Sequence, residues 1–195
     1  MIIHILDDDI TILDAASFLL KQLGYQIKTW SNSQDFIEYA DLFQPGILLL
    51  DMKMPLIDGH QVHKYLNQQH STLAVIIITG HGDVSMAVQE LKQGAVDFLQ
   101  KPVKFEELQS VLKIAKQKTL QKYEYFQIKN DYASLSQKEL EILQLLLQGY
   151  INRKIAEELN ISVRTVEVHR SHLMQKMHAK TLAELIYKIA NLTEP

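Results

Sequence analysis

The 195-residue chain is predicted to fold as an α/β unit with a doubly wound parallel sheet, followed by a smaller all-α unit. Over the first 100 residues, short apolar runs alternate with amphipathic stretches of helical length, which is typical of strands and helices that alternate around a parallel sheet. Beyond Ser136 only helical patterns remain. The length allows two small domains, and 47% hydrophobic residues against 22% charged ones supply a core for each.

Five predicted strands are almost wholly apolar, as expected where helices cover both faces of a sheet. They are IIHIL (2–6), YQIKTW (25–30), GILLL (46–50), AVIIIT (74–79) and AVDFL (95–99). From Phe105 to about Ile128 no Gly or Pro interrupts the helix formers, so one long helix should extend there, followed by NDYASL as a linker. We therefore expect domains at 1–120 and 135–195, with 121–134 as stalk end and linker.

Start and stop signals divide the second unit into four helices. Ser136 and Glu139 form a predicted capping box for the first helix, and Gly149 closes it. A second helix covers about 152–159, a third runs from its cap Ser162 to about 177, and a fourth from Thr181 to about 190.

Composition excludes several classes of protein. Without cysteine there is no disulfide scaffold, thiol nucleophile or cysteine-based zinc finger. No apolar run approaches the roughly 18 residues of a membrane helix, and the start MIIHILDDD lacks signal-peptide features, so we expect a cytoplasmic protein that does not enter membranes. Residues 162–180 hold four basic side chains and one acid, a local patch that nucleic-acid binding would require.

Polar residues fall at the carboxyl ends of the predicted strands, where doubly wound sheets bind ligands. Asp7, Asp8 and Asp9 follow the first strand; Asp51, Thr79 and Lys101 follow the third, fourth and fifth. Clustered carboxylates favour a hard cation such as Mg²⁺, and a cation plus a lysine beside a carboxylate nucleophile suits phosphoryl transfer. For any one of these acids taken alone, a solvated loop residue is the better interpretation.

The segments HILDDD, LLLDMKMPLIDG, VIIITGHGD and AVDFLQKP closely resemble the flavodoxin-like (βα)5 receiver domain of two-component response regulators over about residues 1–120. The resemblance implies that Asp51 is the phosphoacceptor and Asp7 and Asp8 the acidic pair. Mg²⁺ would be held at this cluster by Asp8, Asp51 and the backbone carbonyl of Lys53.

The same resemblance assigns the switch residues. Thr79 would bond the phosphoryl group, Gly80 would allow close backbone approach, and Lys101 would pair with the phosphate. Phe98 occupies the aromatic switch position, although a plain core aromatic fits it equally well, and Pro102 occupies the position of a cis peptide bond.

Several further polar residues have less specific interpretations. We expect Asp9 to face solvent and His4 to be a packed core histidine. The pairs His60 with His63 and His169 with His172 have helix-turn spacing that could chelate a metal, but we favour surface histidines.

The third helix of the second unit separates into two faces. One face should be core: Val163, Val166, Leu173 and Met177. The other carries Arg164, Glu167, Val168, Ser171 and Gln175. An exposed valine among polar residues suits a DNA major groove, where it can touch a thymine methyl group.

Residues from Leu135 to about Ala190 resemble the four-helix, helix-turn-helix DNA-binding domain of LuxR/NarL-type regulators, and TGHGDVSMAV resembles the nitrogen-fixation regulators of this class. The resemblance implies that Glu167, Val168 and Ser171 face bases. The phosphate-facing set would be Lys154, Arg164, Thr165 and Arg170, while Arg153 is either phosphate-facing or solvated. The fourth helix carries an apolar stripe of Leu182, Leu185, Ile186 and Ile189, most of which we expect to be core, although family members pair through this helix on DNA.

We interpret the chain as a cytoplasmic transcription regulator rather than an enzyme, switched when a sensor histidine kinase phosphorylates Asp51 in the presence of Mg²⁺. Phosphorylation should produce a homodimer through the surface from Asp83 to Phe98 and promote binding to double-stranded DNA, with RNA polymerase a further candidate partner. Whether the resting receiver occludes the DNA-binding domain or only fails to dimerise stays open. The alternatives are an Mg²⁺-dependent phosphatase, in which Lys53 would occupy the usual general-acid position, and a phosphorylation-gated module that binds protein instead of DNA.

Overall fold

The computed structural model describes residues 1–80 and 84–193 and divides into two compact units, Met1–Tyr123 and a second that starts at Glu124. Five parallel strands form one sheet in the order β2-β1-β3-β4-β5. The strands are β1 (Ile2–Leu6), β2 (Gln26–Trp30), β3 (Gly46–Asp51), β4 (Ala74–Thr79) and β5 (Asp97–Gln100). The predicted sheet is confirmed, with the fifth strand placed at Asp97–Gln100 instead of 95–99.

Five helices alternate with these strands and cover both faces of the sheet. They are α1 (Ile10–Gln22), α2 (Ser33–Tyr39), α3 (Gly59–Gln68), α4 (Val84–Lys92) and α5 (Phe105–Ala133). Alternate strand residues enter opposite layers: Ile47 and Leu49 of β3 pack with α1 and α5, while Leu48 and Leu50 pack with α2 and α3. β3 is therefore buried along its whole length.

His4 is a core histidine, as predicted. It is 4% exposed, and its Nδ1 accepts a hydrogen bond from Trp30 Nε1 at 3.1 Å, with Phe36 packed edge-on against both rings. Burial, followed by the charge of Lys28, lowers the pKa of His4 to about 4. The ring is therefore neutral at pH 7.

The long helix α5 continues to Ala133, so the prediction that 130–135 is a linker was wrong for its first four residues. Leu108, Val111, Leu112 and Ala115 of α5 pack on the sheet. Further along, the Thr119 hydroxyl accepts from Gly46 N–H at 2.9 Å and donates to the Thr72 carbonyl at 2.8 Å. Ile128, by contrast, is buried in the core of the second unit. The buried Ile128 lies two residues before the predicted linker, and the largely exposed residues 130–133 continue the helix beyond it.

His63 is fully buried, which corrects its prediction as a surface histidine, whereas the His60 side chain is 38% exposed. Their Nδ1 atoms contact the two carboxylate oxygens of Glu90 at 2.6 and 2.5 Å, and Glu90 and His63 are fully buried. The Asn67 amide also donates to the Gln93 carbonyl at 2.9 Å. Together these contacts form a polar seam that joins α3 to α4. Of the second histidine pair, His172 is exposed and His169 half-buried.

The second unit contains four further helices, α6 (Gln137–Leu147), α7 (Asn152–Leu159), α8 (Val163–Lys176) and α9 (Leu182–Thr193). The predicted capping box is confirmed: Glu139 accepts from Ser136 N–H at 2.7 Å, and Ser136 accepts from Glu139 N–H at 3.3 Å. Gly149 has a φ of 84°, and the α7–α8 turn passes through Asn160 at a φ of 53°. Both residue types tolerate this left-handed conformation, which lets the helices end where they do.

The core of the second unit is contributed by all four helices, and its central members are Ile142, Ile155, Val166, Leu173 and Leu185. Within residues 1–80 and 84–193, none of the helices has the length and apolar character needed to cross a membrane.

Candidate functional site

The carboxyl ends of the strands enclose a polar cavity of about 370 Å³. Register explains its composition: Leu6 of β1 lies beside Leu50 of β3, so Asp7 and Asp51 become neighbours although 44 residues separate them. The predicted site residues Asp7, Asp8, Asp51, Lys53, Thr79, Gly80 and Lys101 all line this cavity, together with Asp9, Ile12 and Met52. The topology therefore brings the predicted acidic cluster, hydroxyl and lysine together.

Lys101 lies between Asp7 and Asp51, the two buried carboxylates of this cavity. Its Nζ is 2.7 Å from Asp7 Oδ2 and 2.6 Å from Asp51 Oδ1, and both acids are less than one-tenth exposed. The second oxygen of Asp51 accepts a hydrogen bond from the Lys53 N–H at 2.7 Å. The ammonium group thus compensates two buried negative charges and fixes the orientation of Asp51.

The environment raises the pKa of both Asp51 and Lys101. Burial is the main cause for Asp51, and the hydrogen bond and charge of Lys101 only partly oppose it. Burial lowers the pKa of Lys101, but hydrogen bonds to Asp51 and Asp7 outweigh it. The result is a lysine that stays charged and a carboxylate that is more basic than an exposed one, which favours nucleophilic attack.

Thr79 contributes a buried hydroxyl to the cavity. Its Oγ1 has no hydrogen-bond partner among the described residues, and a buried hydroxyl without a partner is costly unless a ligand supplies one. The Thr79 carbonyl accepts from Lys101 N–H at 2.8 Å, which fixes the start of the next loop. The Lys101–Pro102 peptide bond is cis, as the prediction for Pro102 required.

Phe98 is half-buried against the layer that contains Phe36 and Leu50, so a packed aromatic describes its position in this structure. Asp83, one end of the predicted pairing surface, lies outside the described residues, as do His81 and Gly82 of the TGHGD motif. Asp9 is exposed, as expected, and its carboxylate accepts from Thr11 N–H at 2.8 Å, which caps α1.

Gly59 is a positioning residue that the sequence reasoning missed. A Cβ at this position would collide with the Asp51 carbonyl oxygen and would come within 2.8 Å of Met52 Cα. Because backbone atoms cannot yield as a flexible side chain does, the close approach of α3 to the end of β3 requires glycine. The DG pair in LLLDMKMPLIDG was the available signal.

The donor set fits Mg²⁺, which binds oxygen ligands and keeps several of its waters. Within residues 1–80 and 84–193, no three His, Cys, Asp or Glu side chains converge as a metal cluster. Lys101 contacts Asp7 and Asp51 alike, and Asp8 lines the same cavity, so these three carboxylates are the ones near a bound cation. Two carboxylates, one backbone carbonyl and water suffice for this ion, so a third acidic side chain is not needed.

In the second unit, α8 presents the predicted polar face to solvent. Arg164, Glu167, Val168, Ser171 and Gln175 are exposed, and Thr165 and Arg170 are half-buried. Val166, Leu173 and Met177 are fully buried, as predicted, but Val163 is 41% exposed, which corrects its assignment to the core. Side chains tilt toward the amino terminus of their helix, so the first residue of α8 extends beyond the buried part.

The predicted phosphate-facing residues have polar partners on the same unit. Arg170 donates to the Asn152 side chain at 2.8 Å, which joins α8 to the start of α7. Lys154 lies 3.0 Å from Glu158, and Arg164 lies 3.7 Å from Glu167. These last two are exposed pairs of small energy, so phosphates can displace them readily.

On α9, the residues of the predicted apolar stripe differ in their exposure to solvent. Leu185 and Ile189 are buried in the core, Leu182 is half-buried, and Ile186 is 43% exposed next to the exposed Tyr187. The exposed fraction of Ile186 leaves it available for pairing, whereas Leu185 and Ile189 hold the unit together.

Both units of the chain match families of known proteins. Residues 3–113 match the model of the response regulator receiver domain, and residues 133–189 match that of the bacterial regulatory proteins of the luxR family. The tetrathionate response regulatory protein TtrR of Salmonella typhimurium is 49% identical over 193 residues, covering 99% of this chain and 94% of the relative.

Two solved structures resemble the whole chain. The response regulator StyR has a TM-score of 0.73 at 31% identity, covering 97% of this chain and 98% of that one. Full-length FixJ from B. japonicum has a TM-score of 0.54 at 34% identity, covering 98% and 96%. The chain therefore belongs to the two-component transcriptional response regulators, with a receiver domain followed by a luxR-family helix-turn-helix domain.

Proposed function

We propose that Asp51 accepts a phosphoryl group from a sensor histidine kinase and that the phosphorylated protein dimerises and binds promoter DNA. The observation that carries this proposal is the pairing of Lys101 with both Asp7 and Asp51, beside the Thr79 hydroxyl, which has no hydrogen-bond partner among the described residues. A buried carboxylate, a fixed cation and a hydroxyl donor are the groups that an incoming phosphoryl group needs.

The transfer converts one phosphorylated side chain into another. An Asp51 oxygen attacks phosphorus as the bond to the kinase histidine breaks; the electron pair leaves with the imidazole nitrogen, and an acyl phosphate forms on Asp51. Lys101 pairs with a phosphoryl oxygen, and Thr79 donates its hydroxyl hydrogen to another. Asp8, Asp51 and the Lys53 carbonyl would hold Mg²⁺, and its positive charge would offset the negative charge of the transferred group.

Phosphorylation acts on DNA binding through dimerisation. The DNA-binding unit, counted from Glu124, carries nine lysines and arginines and nine acids, so a single copy gains little from non-specific attraction to phosphates. Two copies joined by their receivers would contact half-sites about one helical turn apart, and the second contact becomes intramolecular. In this proposal Lys154, Arg164, Thr165 and Arg170 hold phosphates, while Glu167, Val168 and Ser171 face bases.

The test is incubation with acetyl phosphate and Mg²⁺, followed by intact mass, oligomeric state and DNA binding as a function of salt. Wild type and Asp14→Asn, a matched change of an exposed acid on α1, should each gain one phosphoryl group, dimerise and bind DNA more tightly. Asp51→Asn should do none of these. Equal DNA binding in all samples would contradict phosphorylation control, and salt-independent binding would contradict DNA contact through phosphates.

A further inference from the structure

The exposed face of α8 carries one acid in an otherwise basic or neutral stripe. Glu167 is the only acidic residue in VRTVEVHRSHLMQK, and about half of its side chain is exposed. Arg164 lies one turn before it and Ser171 one turn after it, and both are also exposed. The carboxylate is therefore at the centre of the surface that the proposed function directs at DNA.

A carboxylate on this surface weakens DNA binding unless a base satisfies it. DNA phosphates repel it, and among the residues that the structure describes the only cation within ion-pair range is Arg164 at 3.7 Å, a loose contact between two exposed side chains. The chain thus contains a charge that opposes non-specific binding. Its cost disappears only where the groove offers a hydrogen-bond donor.

The bases differ in what they offer a carboxylate in the major groove. Guanine presents only acceptors, and thymine presents an acceptor and a methyl group, so both repel it. Adenine places an acceptor next to its amino donor, while cytosine presents the N4 amino donor alone. Cytosine is accordingly the base that best satisfies Glu167. The adjacent Val168, 41% exposed, offers an apolar contact that a thymine methyl group would fill.

We infer that Glu167 determines operator specificity by accepting a hydrogen bond from cytosine N4, so that each half-site contains a required C·G pair opposite this residue. The inference rests on the proposed function, because it takes DNA as the ligand of α8. Beyond the proposed function, the inference names the base that the operator must contain. It assigns Glu167 to discrimination between bases rather than to affinity for DNA.

The experiment is selection of binding sites from a randomised DNA library by the full chain, with and without acetyl phosphate, followed by titration of the selected site and its single-base variants. Wild type should require cytosine at one position of each half-site, and replacing that C·G pair should weaken binding about tenfold to hundredfold. Glu167→Gln should reduce this discrimination to threefold or less and should accept adenine there, because glutamine can pair with adenine N6 and N7.

Glu157→Gln is the matched control, since it removes one exposed negative charge from the neighbouring helix α7. It should keep the requirement for cytosine. If Glu167→Gln binds the wild-type site with unchanged base preference, Glu167 does not read a base and the inference is wrong, although DNA binding stands. If wild type enriches no sequence and binds no DNA, the proposed function fails together with the inference.

Discussion

Replacement of Lys101 by methionine tests the electrostatic centre of the receiver. The substitution keeps the length of the side chain but removes the ammonium group that lies 2.7 Å from Asp7 and 2.6 Å from Asp51. Removing one partner of a buried ion pair costs about 3–5 kcal/mol, because it leaves an uncompensated charge. Since Lys101 is 27% exposed and water reaches it, we expect the substitution to lower the free energy of unfolding by about 2–3 kcal/mol at pH 7.

The single tryptophan makes this loss measurable. Trp30 is buried in the receiver, so its fluorescence during urea denaturation reports the free energy of unfolding of that unit. Mg²⁺ should restore part of the lost stability in Lys101→Met, because a cation that binds only the folded state stabilises it. The effect of the substitution should also shrink as the pH falls and Asp51, whose pKa burial raises, becomes protonated.

Lys104→Met is the control, because Lys104 forms an exposed pair with Glu107 at 2.9 Å. Such an exposed pair contributes about 0–1 kcal/mol to the free energy of unfolding. If the two variants unfold at the same urea concentration with the same slope, Lys101 does not stabilise the buried carboxylates and our account of the site is wrong.

Two further predictions concern buried titratable groups. Because the pKa of His4 is lowered to about 4, the folded receiver resists its protonation; the stability of wild type relative to His4→Gln should be constant above about pH 6.5 and should fall by about 3 kcal/mol as the pH drops to 4. Urea denaturation at several pH values measures this, and a constant difference would refute it. Glu90→Gln should weaken the polar seam between α3 and α4, with a loss of about 3 kcal/mol and faster hydrogen exchange in α4; unchanged exchange there would show that the seam does not hold α4 in place.

The strand-end residues show how much of the site the sequence predicts. Asp7, Asp51, Thr79 and Lys101 each follow an apolar run, and the carboxyl ends of parallel strands share one edge of the sheet, so their proximity follows from topology alone. The requirement for Gly59 does not follow in this way, because it depends on the distance between a helix and a strand end that only packing determines.

The two histidine pairs show a feature that spacing in the sequence does not predict. His60 with His63 and His169 with His172 have the same spacing, yet His63 is fully buried and bonded to Glu90 while His172 is exposed. Spacing places two side chains on one helical face, but the partner comes from an element about 30 residues away.

The sequence by itself determined the two units, the five apolar strands, the helix caps at Ser136 and Ser162, and the set of polar residues at the strand ends. These are local properties: hydrophobic periodicity, capping chemistry and the order of elements along the chain. Only the tertiary structure decided that Lys101 bridges two acids, that Glu90 holds two histidines, and that Gly59 lies too close to the end of β3 to carry a side chain. Each of these depends on contacts between separate elements of the fold, whose distances the order of the residues does not specify.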